Sequence, residues 1–321
     1  MKKRLLALAS TISVIAAATI APAQAGTGLS SDELLARYQP VTVFDATERF
    51  RPTAVGDFLA DADLQRLGAD GGYHAAELPP AGLPVDGEGW RLDHRACTPA
   101  GGLAAVGCYD AAEAGPSVVY GRHEVRAGTT VLQYWLFYDH NFWSLTYPPG
   151  AFAWQAHEGD WEVVTVVLDA EQSPVEVAYS QHCTGERRAW AGVQRQGGTH
   201  PVVYVATGSH ANLFAPGIHP IALFCYPPQV QAILQQNAIT PFDFVVLPVS
   251  SLGPGTTKIE RIHDNSPRWL RFPGTWGEAQ YVNIPAPVGP GIMPFGTSPE
   301  GPRAHDIWVD PLGTIAGYPA G

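Results

Sequence analysis

Apolar runs rich in Val, Tyr, Trp and Phe recur between residues 117 and 284, and polar stretches rich in Gly, Pro and Asn separate them. The lengths and residue types of these runs are typical of β-strands. Several such strands in one chain indicate a sandwich. The sequence therefore predicts a mainly β protein, an antiparallel β-sandwich with a few short helices and long Pro/Gly-rich loops, with strands over 118–120, 129–138, 162–168, 175–181, 201–207, 242–249 and 280–284.

Three helices are predicted around these strands. The first covers 31–38, with Ser30 or Ser31 as its N-cap and Pro40 as its stop. The others cover 53–67 and 228–237, although Gly56 weakens the earlier one.

The remaining stretches are rich in Gly and Pro and lack periodicity, notably 70–115 and the chain from Pro285 onward. We therefore expect a signal peptide over 1–25, a helix and loop segment over 26–115 that packs on the core, a sandwich core with a metal site over 116–285, and an irregular C-terminal strap over 286–321.

The N-terminus shows the charged, apolar and small-residue pattern of a secretory signal, which predicts a secreted, extracellular protein. Its removal changes 19 basic and 30 acidic residues into 16 and 30, a formal charge of −14. A surface this acidic, with Lys258 as its only lysine, argues against a nucleic-acid partner. No later segment has 18 consecutive apolar residues, so no transmembrane segment is predicted. The oligomeric state stays open.

Four cysteines in an exported chain indicate disulfides. The residues between Cys97 and Cys108 are typical of a turn, which favours that pair and leaves Cys183 with Cys225. The alternative is a structural zinc site, but the spacings lack a Cys-x-x-Cys pair.

The stretch His157-Glu158-Gly159-Asp160-Trp161-Glu162 leads directly into a Val-rich strand. Because strand residues alternate between faces, Asp160 and Glu162 are expected to point the same way at the end of a loop. These residue types predict a divalent-metal site of His157, Asp160 and Glu162, with Asp139 or His140 as a further ligand. If oxygen ligands dominate, Mg²⁺, Ca²⁺ or Mn²⁺ suits the site better than Zn²⁺.

Further histidines lie near the ends of predicted strands, where loops converge and a shared pocket is expected. In an enzyme the metal would activate water, and Glu158, His182 or His210 would be the catalytic acid or base of a metal-dependent hydrolase. The simpler interpretation is that Asp160 caps a turn and that the other polar groups are ordinary loop and strand residues.

Competing motifs fit less well. The fifth residue of a helical zinc-protease motif that begins at His157 would be His, but it is Trp161 here. Ser209 lacks the second glycine of a nucleophile elbow, which argues against a serine hydrolase. A glycosidase that uses Glu158 with Asp160 or Glu162 stays open, because sequence does not set the separation of the carboxylates.

Two blocks, Gly159-Asp160-Trp161-Glu162 and Gly208-Ser209-His210-Ala211, followed by a late Phe272-Pro273-Gly274-Thr275-Trp276-Gly277, resemble the vacuolar protein sorting-associated protein sixty-two family. The order of the blocks agrees with that family along most of the mature chain. The family is named for trafficking in eukaryotes, and the resemblance implies little about chemistry.

A more distant resemblance is to the secreted necrosis- and ethylene-inducing toxins, whose heptapeptide Gly-His-Arg-His-Asp-Trp-Glu aligns with residues 156–162. It implies a β-sandwich with a divalent cation beside a cavity that recognises sphingolipid headgroups, metal roles for His157, Asp160 and Glu162, and Asp139 as a further ligand. Glu158 and Gly159 depart from the motif. We therefore expect a metal-binding protein that recognises a polar lipid headgroup or glycan, either with hydrolysis or as a non-catalytic, toxin-like binder.

Overall fold

The computed structural model describes residues 28–95, 97–109, 116–145 and 153–321. The predicted signal peptide therefore lies outside the described residues. Within these ranges, no helix is long and apolar enough to cross a membrane.

The described chain is mostly β, as predicted. Its strands are β1 (Val41–Asp45), β2 (Ala62–Leu67), β3 (Tyr73–Ala75), β4 (Trp90–His94), β5 (Val118–Arg126), β6 (Thr129–Ser144), β7 (Trp154–Leu168), β8 (Pro174–Gln181), β9 (Thr184–Ala189), β10 (Arg195–Gln196), β11 (His200–Val205), β12 (Asn212–Leu213), β13 (Gly217–Pro220), β14 (Phe242–Val245), β15 (Pro248–Leu252), β16 (Lys258–Arg261), β17 (Thr275–Trp276), β18 (Ala279–Ile284) and β19 (Gly291–Thr297). Its α-helices are α1 (Ser31–Arg37), α2 (Val55–Asp61), α3 (Val106–Tyr109), α4 (Pro228–Gln236), α5 (Asp306–Val309) and α6 (Pro311–Ala316).

The largest sheet is built on the long antiparallel hairpin of β6 and β7, which pair from Thr130 with Leu168 to Ser144 with Trp154. Its strand order is β16-β5-β6-β7-β18-β19, and β8 pairs with both β7 and β9. Strand β7 begins at Trp154, whereas the predicted strand began at residue 162. The motif from His157 to Glu162 therefore lies inside a strand and not in a loop before one.

Both faces of this hairpin are buried. Tyr134, Leu136 and Tyr138 pack into one apolar cluster, together with α1 and residues of β1 and β11. Trp135 and Phe137, which alternate with them, pack into a second cluster together with α2, α5 and α6. A strand with both faces covered reads as one continuous apolar run, which is the pattern seen in this part of the sequence.

A second sheet packs on the face of the hairpin that carries Tyr134, Leu136 and Tyr138. Its strand order is β10-β11-β1-β15, and β12 pairs with β11. Strand β1 runs parallel to β11, with Val41 opposite Val202. The segment over 26–115 thus supplies strands as well as helices. The predicted helix over 53–67 ends at Asp61, because the residues that follow pair with β4 as β2.

The C-terminal region is also more regular than predicted. Strand β19 pairs with β18 along its length. Helix α6 begins with Pro311, and the Asp310 side chain accepts a hydrogen bond from the backbone N–H of Gly313. The strap therefore contains a strand and two short helices.

Both predicted disulfides are confirmed. Cys97 pairs with Cys108 and Cys183 with Cys225, at Cα separations of 5.9 and 5.3 Å. The thiolates that a structural zinc site would require are consumed in these bonds.

Candidate functional site

The motif lies at a gap in the large sheet. On one edge of β7, residues 154–156 pair with β18 and residues 164–168 pair with β8. Between them, residues 157–163 have no strand partner on that edge within the described chain. The Ser180 hydroxyl accepts a 2.7 Å hydrogen bond from the backbone N–H of Val163 there. The motif thus lies on an open edge where side chains can reach a ligand.

Gly159 lets His157 and Asp160 reach the same side of β7. The two residues are three positions apart, so regular alternation would place them on opposite faces. Gly159 has a φ of +56°, which interrupts the alternation. A Cβ at this position would also overlap the carbonyl oxygen of Trp276. Only glycine fits here without strain.

His157, Asp160 and Glu162 line one cavity of about 230 Å³, which we call the motif cavity. His182, Cys183 and Cys225 line it as well, and its remaining wall contains Asn141, Gln155, Ser209, Gln280 and the aromatic residues Trp143, Trp161, Tyr226 and Phe295. None of the described residues that line it is a lysine or an arginine. The cavity therefore combines acids, imidazoles and apolar surface.

Asp160, His210 and Glu48 form a buried row of charged side chains, which we call the ion chain. Its Oδ2 lies 2.8 Å from the Nδ1 of His210, whose Nε2 lies 3.7 Å from the Oε1 of Glu48. Burial disfavours the imidazolium, but the hydrogen bond with Asp160 and the nearby negative charge of Glu48 raise the pKa of His210 to about 9. The ring also stacks on Tyr138 with centroids 3.8 Å apart. His210 is thus cationic at neutral pH and fixes the Asp160 carboxylate.

Glu162 lies beside this anion and lacks a cation of its own among the described residues. Its carboxylate accepts a hydrogen bond from the Ser180 hydroxyl. Burial and the negative charge of Asp160 raise the pKa of Glu162 well above its usual range. The pair of acids would therefore be stabilised by a positive charge in the motif cavity.

His157 completes the set. Its Nδ1 lies 3.2 and 3.0 Å from the carbonyl oxygens of Glu158 and Gly159, so Nδ1–H donates and Nε2 remains for a ligand. Burial lowers the pKa of His157, which favours the neutral imidazole that binds metals.

His182 lies in the same cavity and is positioned by a second acid. Its Nε2 is 2.8 Å from the Oδ2 of Asp243, whose Oδ1 accepts a 2.5 Å hydrogen bond from the Ser209 hydroxyl. Burial alone would lower the pKa of His182, but the Asp243 charge and hydrogen bond raise it. Sequence reasoning missed Asp243 and Glu48. The lone acid between Phe242 and Phe244 was the only local signal for Asp243.

The other predicted site residues do not line the motif cavity. Glu158 is buried on the far side of Gly159, where its carboxylate accepts hydrogen bonds from the Tyr109 hydroxyl at 2.9 Å and from the backbone N–H of His94 at 3.2 Å. Asp139 lies on the face of β6 that packs near Tyr120, whose pKa its charge helps to raise. His210 is fully buried behind Asp160. Of the three predicted catalytic residues, only His182 reaches the cavity.

The donor atoms of His157, Asp160 and Glu162 are not gathered as tightly as ligands around a bare ion. Within the described ranges, the one trio of His, Cys or acidic donors that all lie within 4.8 Å of one another is His94, Cys97 and Cys108. The sulfurs of that trio form a disulfide.

A second cavity, of about 350 Å³, lies on the other side of the ion chain. Its walls include Glu48, Gly208, Phe50, Phe142 and Phe244. The carboxylate of Glu48 is already committed to the backbone N–H groups of Phe50 and Gly208 and to His210. The candidate chemistry therefore lies in the motif cavity, although the second cavity is larger.

No model of a known protein family matches the chain, and no curated protein matches it. The predicted resemblance to the vacuolar protein sorting-associated family thus finds no match. Solved structures of the necrosis- and ethylene-inducing toxin fold do match. One, described as "Toxin fold for microbial attack and plant defense", is 16% identical with a TM-score of 0.34, over 58% of this chain and 69% of that chain.

Two further solved structures have identities and TM-scores in the same range. NLPPya in complex with mannosamine is 14% identical with a TM-score of 0.31, over 59% of this chain and 69% of that chain. Necrosis and Ethylene inducing Protein 2 from the causal agent of cocoa's Witches Broom disease is 15% identical with a TM-score of 0.32, over 73% of this chain and 81% of that chain. At these values no ligand, metal or activity is transferred to this chain.

Proposed function

We propose that this protein binds a divalent cation in the motif cavity, through His157, Asp160 and Glu162, and uses it to bind a polar lipid headgroup or glycan. Two disulfides and a signal-like N-terminus favour a secreted protein. Mg²⁺, Ca²⁺ or Mn²⁺ suits two carboxylates and one imidazole better than Zn²⁺ does.

One observation carries this proposal. Asp160 and Glu162 are buried side by side in a cavity whose described lining has no lysine or arginine. Two buried carboxylates repel each other unless one is protonated or a cation lies between them. His210 neutralises charge on the far side of Asp160 only, which leaves the cavity side for the cation.

Binding without hydrolysis is the version that the geometry supports better. Glu158 and His210 are both turned away from the motif cavity, so His182 alone remains of the predicted acid and base residues. A bound cation would supply an electropositive contact for ligand oxygens, while Trp143, Tyr226 and Phe295 offer apolar surface for stacking or packing.

Calorimetric titration of the chelator-treated protein with Mg²⁺, Ca²⁺ and Mn²⁺ tests the cation site. His157→Ala and Asp160→Asn should each abolish or strongly weaken binding. His74→Ala and Asp70→Asn are the matched controls, because that pair is exposed and 3.0 Å apart. Equal cation binding by both sets of variants, with intact circular dichroism, would reject the site.

Ligand binding is tested separately with the cation-loaded protein. The panel contains vesicles with polar lipid headgroups, neutral sugars, and the glucosamine and mannosamine found with NLPPya. Binding without release of product supports the non-catalytic version. Turnover that His157→Ala abolishes would instead show a metal-dependent hydrolase.

A further inference from the structure

His94 ends strand β4, and two cysteines lie beside its ring. One ring nitrogen of His94 and the sulfur atoms of Cys97 and Cys108 all lie within 4.8 Å of one another. None of the three residues lines the motif cavity. In the oxidised chain the two sulfurs are joined as a disulfide, which keeps them next to the imidazole. The trio is therefore a second cluster of metal-binding residue types, separate from the candidate cation site.

The His94 side chain is held in place but not fully used. The residue is 8% exposed, and its Nδ1 is buried without a hydrogen-bond partner. Buried polar atoms are normally paired, and an unpaired one costs free energy. The backbone N–H of His94 donates to Glu158 at 3.2 Å, and the ring packs edge-on against Tyr109 with centroids 5.2 Å apart. The imidazole is thus fixed beside the sulfurs with binding capacity that the described residues do not use.

The surroundings of the trio are acidic. The Glu158 carboxylate accepts a 3.2 Å hydrogen bond from the backbone N–H of Glu278. The Glu278 side chain accepts a 2.7 Å hydrogen bond from the hydroxyl of Thr98, the residue that follows the first cysteine. Arg95, the residue after the histidine, has its guanidinium paired with an acid 3.0 Å away. This charge distribution favours a bound cation.

We propose that reduction of the Cys97–Cys108 disulfide opens a Zn²⁺ site made of the two thiolates and the His94 imidazole. Zn²⁺ binds sulfur at about 2.3 Å, so two sulfurs on one tetrahedral ion lie about 3.8 Å apart. The Cα atoms are 5.9 Å apart, and rotation about the two Cα–Cβ bonds supplies this separation. Two thiolates and one imidazole are ligands that Zn²⁺ prefers, and water takes the fourth position.

The chemistry of opening the site is a two-electron reduction. A phosphine gives two electrons to the disulfide and becomes a phosphine oxide with the oxygen of one water, whose two protons convert the sulfurs into thiols. Zn²⁺ then replaces the two thiol protons, which are released. Cys97 and Cys108 are both partly exposed, so a reductant can reach them. In a chain made in a reducing cytosol and then exported, Zn²⁺ would cross-link this loop before the disulfide does.

The test reduces the full chain with a phosphine and titrates it with Co²⁺, a spectroscopic substitute for Zn²⁺. Reduced wild type should show thiolate-to-cobalt charge-transfer absorption, which oxidised wild type should lack. The double variant Cys97→Ser and Cys108→Ser should lose this absorption. The matched double variant Cys183→Ser and Cys225→Ser should keep it, which assigns the signal to this pair and not to the cysteines that line the motif cavity.

The role of the imidazole is tested by Zn²⁺ titration of the reduced protein in competition with a chromophoric chelator. His94→Ala should weaken Zn²⁺ binding about tenfold or more, because loss of a residue that only supports a ligand already costs that much. His74→Ala is the control and should keep full affinity, since His74 is exposed and lies beside an acid as well. His94→Gln provides a second variant in case His94→Ala does not fold.

Three results would overturn the zinc inference. They are no charge-transfer absorption in reduced wild type, absorption that persists in the Cys97→Ser and Cys108→Ser variant, and full Zn²⁺ affinity in the His94 variants. None of them affects the proposed cation site, because the two sites share no residue. Loss of Mg²⁺, Ca²⁺ or Mn²⁺ binding to the motif cavity would likewise leave the zinc inference standing.

Discussion

The backbone of Gly159 lies directly against the carbonyl oxygen of Trp276, with no room for a Cβ atom between them. The contact holds β7 against β17 at the point where His157 and Asp160 turn towards one cavity. Because φ of Gly159 is +56°, the same residue also reverses the side-chain alternation of the strand. The geometry of the candidate site thus depends on a residue without a side chain.

Gly159→Ala should therefore destabilise the fold by about 2–5 kcal/mol, the sum of left-handed backbone strain and forced overpacking. Gly128→Ala is the control, because Gly128 has a φ of +83° but nothing within 4 Å of its added Cβ. It should cost only about 1–2 kcal/mol. Urea unfolding of both variants measures the difference, and equal losses would show that the contact with Trp276 is unimportant.

Local signals explain which parts of the fold were predictable. Helix α1 begins where Ser30 and Glu33 form a capping box, a pattern written within four adjacent residues. The turn residues between Cys97 and Cys108 likewise indicated that disulfide. In contrast, β1 pairs with β11, which lies far along the chain, and no local pattern reports such a partner.

The candidate site was predictable only in part for the same reason. His157, Asp160 and Glu162 are adjacent in sequence, and all three line the motif cavity. Glu48 and Asp243 reach the site through the fold, so only tertiary contacts reveal that they fix His210 and His182. The orientation of Glu158 away from the cavity follows from Gly159, whose positive φ interrupts the alternation between Glu158 and Asp160.

The ion chain through His210 predicts a pH-dependent stability in chelator-treated protein. The hydrogen bond with Asp160 and the charge of Glu48 raise the pKa of His210 to about 9, above the unfolded value of 6.5. This contribution, about 3 kcal/mol, should be complete below pH 6.5 and disappear as the pH rises through 9. Urea unfolding at a series of pH values checks it.

His210→Gln removes the imidazolium charge and leaves Glu48 and Asp160 as two buried acids without a counter-charge. The free energy of unfolding should therefore fall by about 3–5 kcal/mol at pH 6.5. The variant should also lose the decline between pH 6.5 and 9. His74→Gln, on the exposed surface, should behave as wild type. A wild-type decline that persists in His210→Gln would assign it to another group.

The buried carboxyl group of Glu158 should cause a second pH dependence of stability, at lower pH than that of His210. Burial raises its pKa to about 7, although the N–H of His94 and the Tyr109 hydroxyl donate to the carboxylate. Its contribution should be complete below the unfolded pKa of 4.5 and fall by about 3 kcal/mol as the pH rises through 7. Glu158→Gln should therefore be at least as stable as wild type at pH 8. A large loss at that pH would contradict the proposed pKa.

The two disulfides should differ in what their removal does to binding. Cys183 and Cys225 enclose a longer loop than Cys97 and Cys108, with sequence separations of 42 and 11. In the chain-entropy model their loss costs about 4 and about 3 kcal/mol respectively. Cys183 and Cys225 also line the motif cavity beside His182. Replacing both with alanine should therefore weaken ligand binding. The Cys97 and Cys108 double alanine variant should lose stability but keep Mg²⁺ and ligand affinity, as titration calorimetry of both folded variants would show. Equal losses of ligand affinity in the two variants would mean that the Cys183–Cys225 bond has no special role in positioning His182.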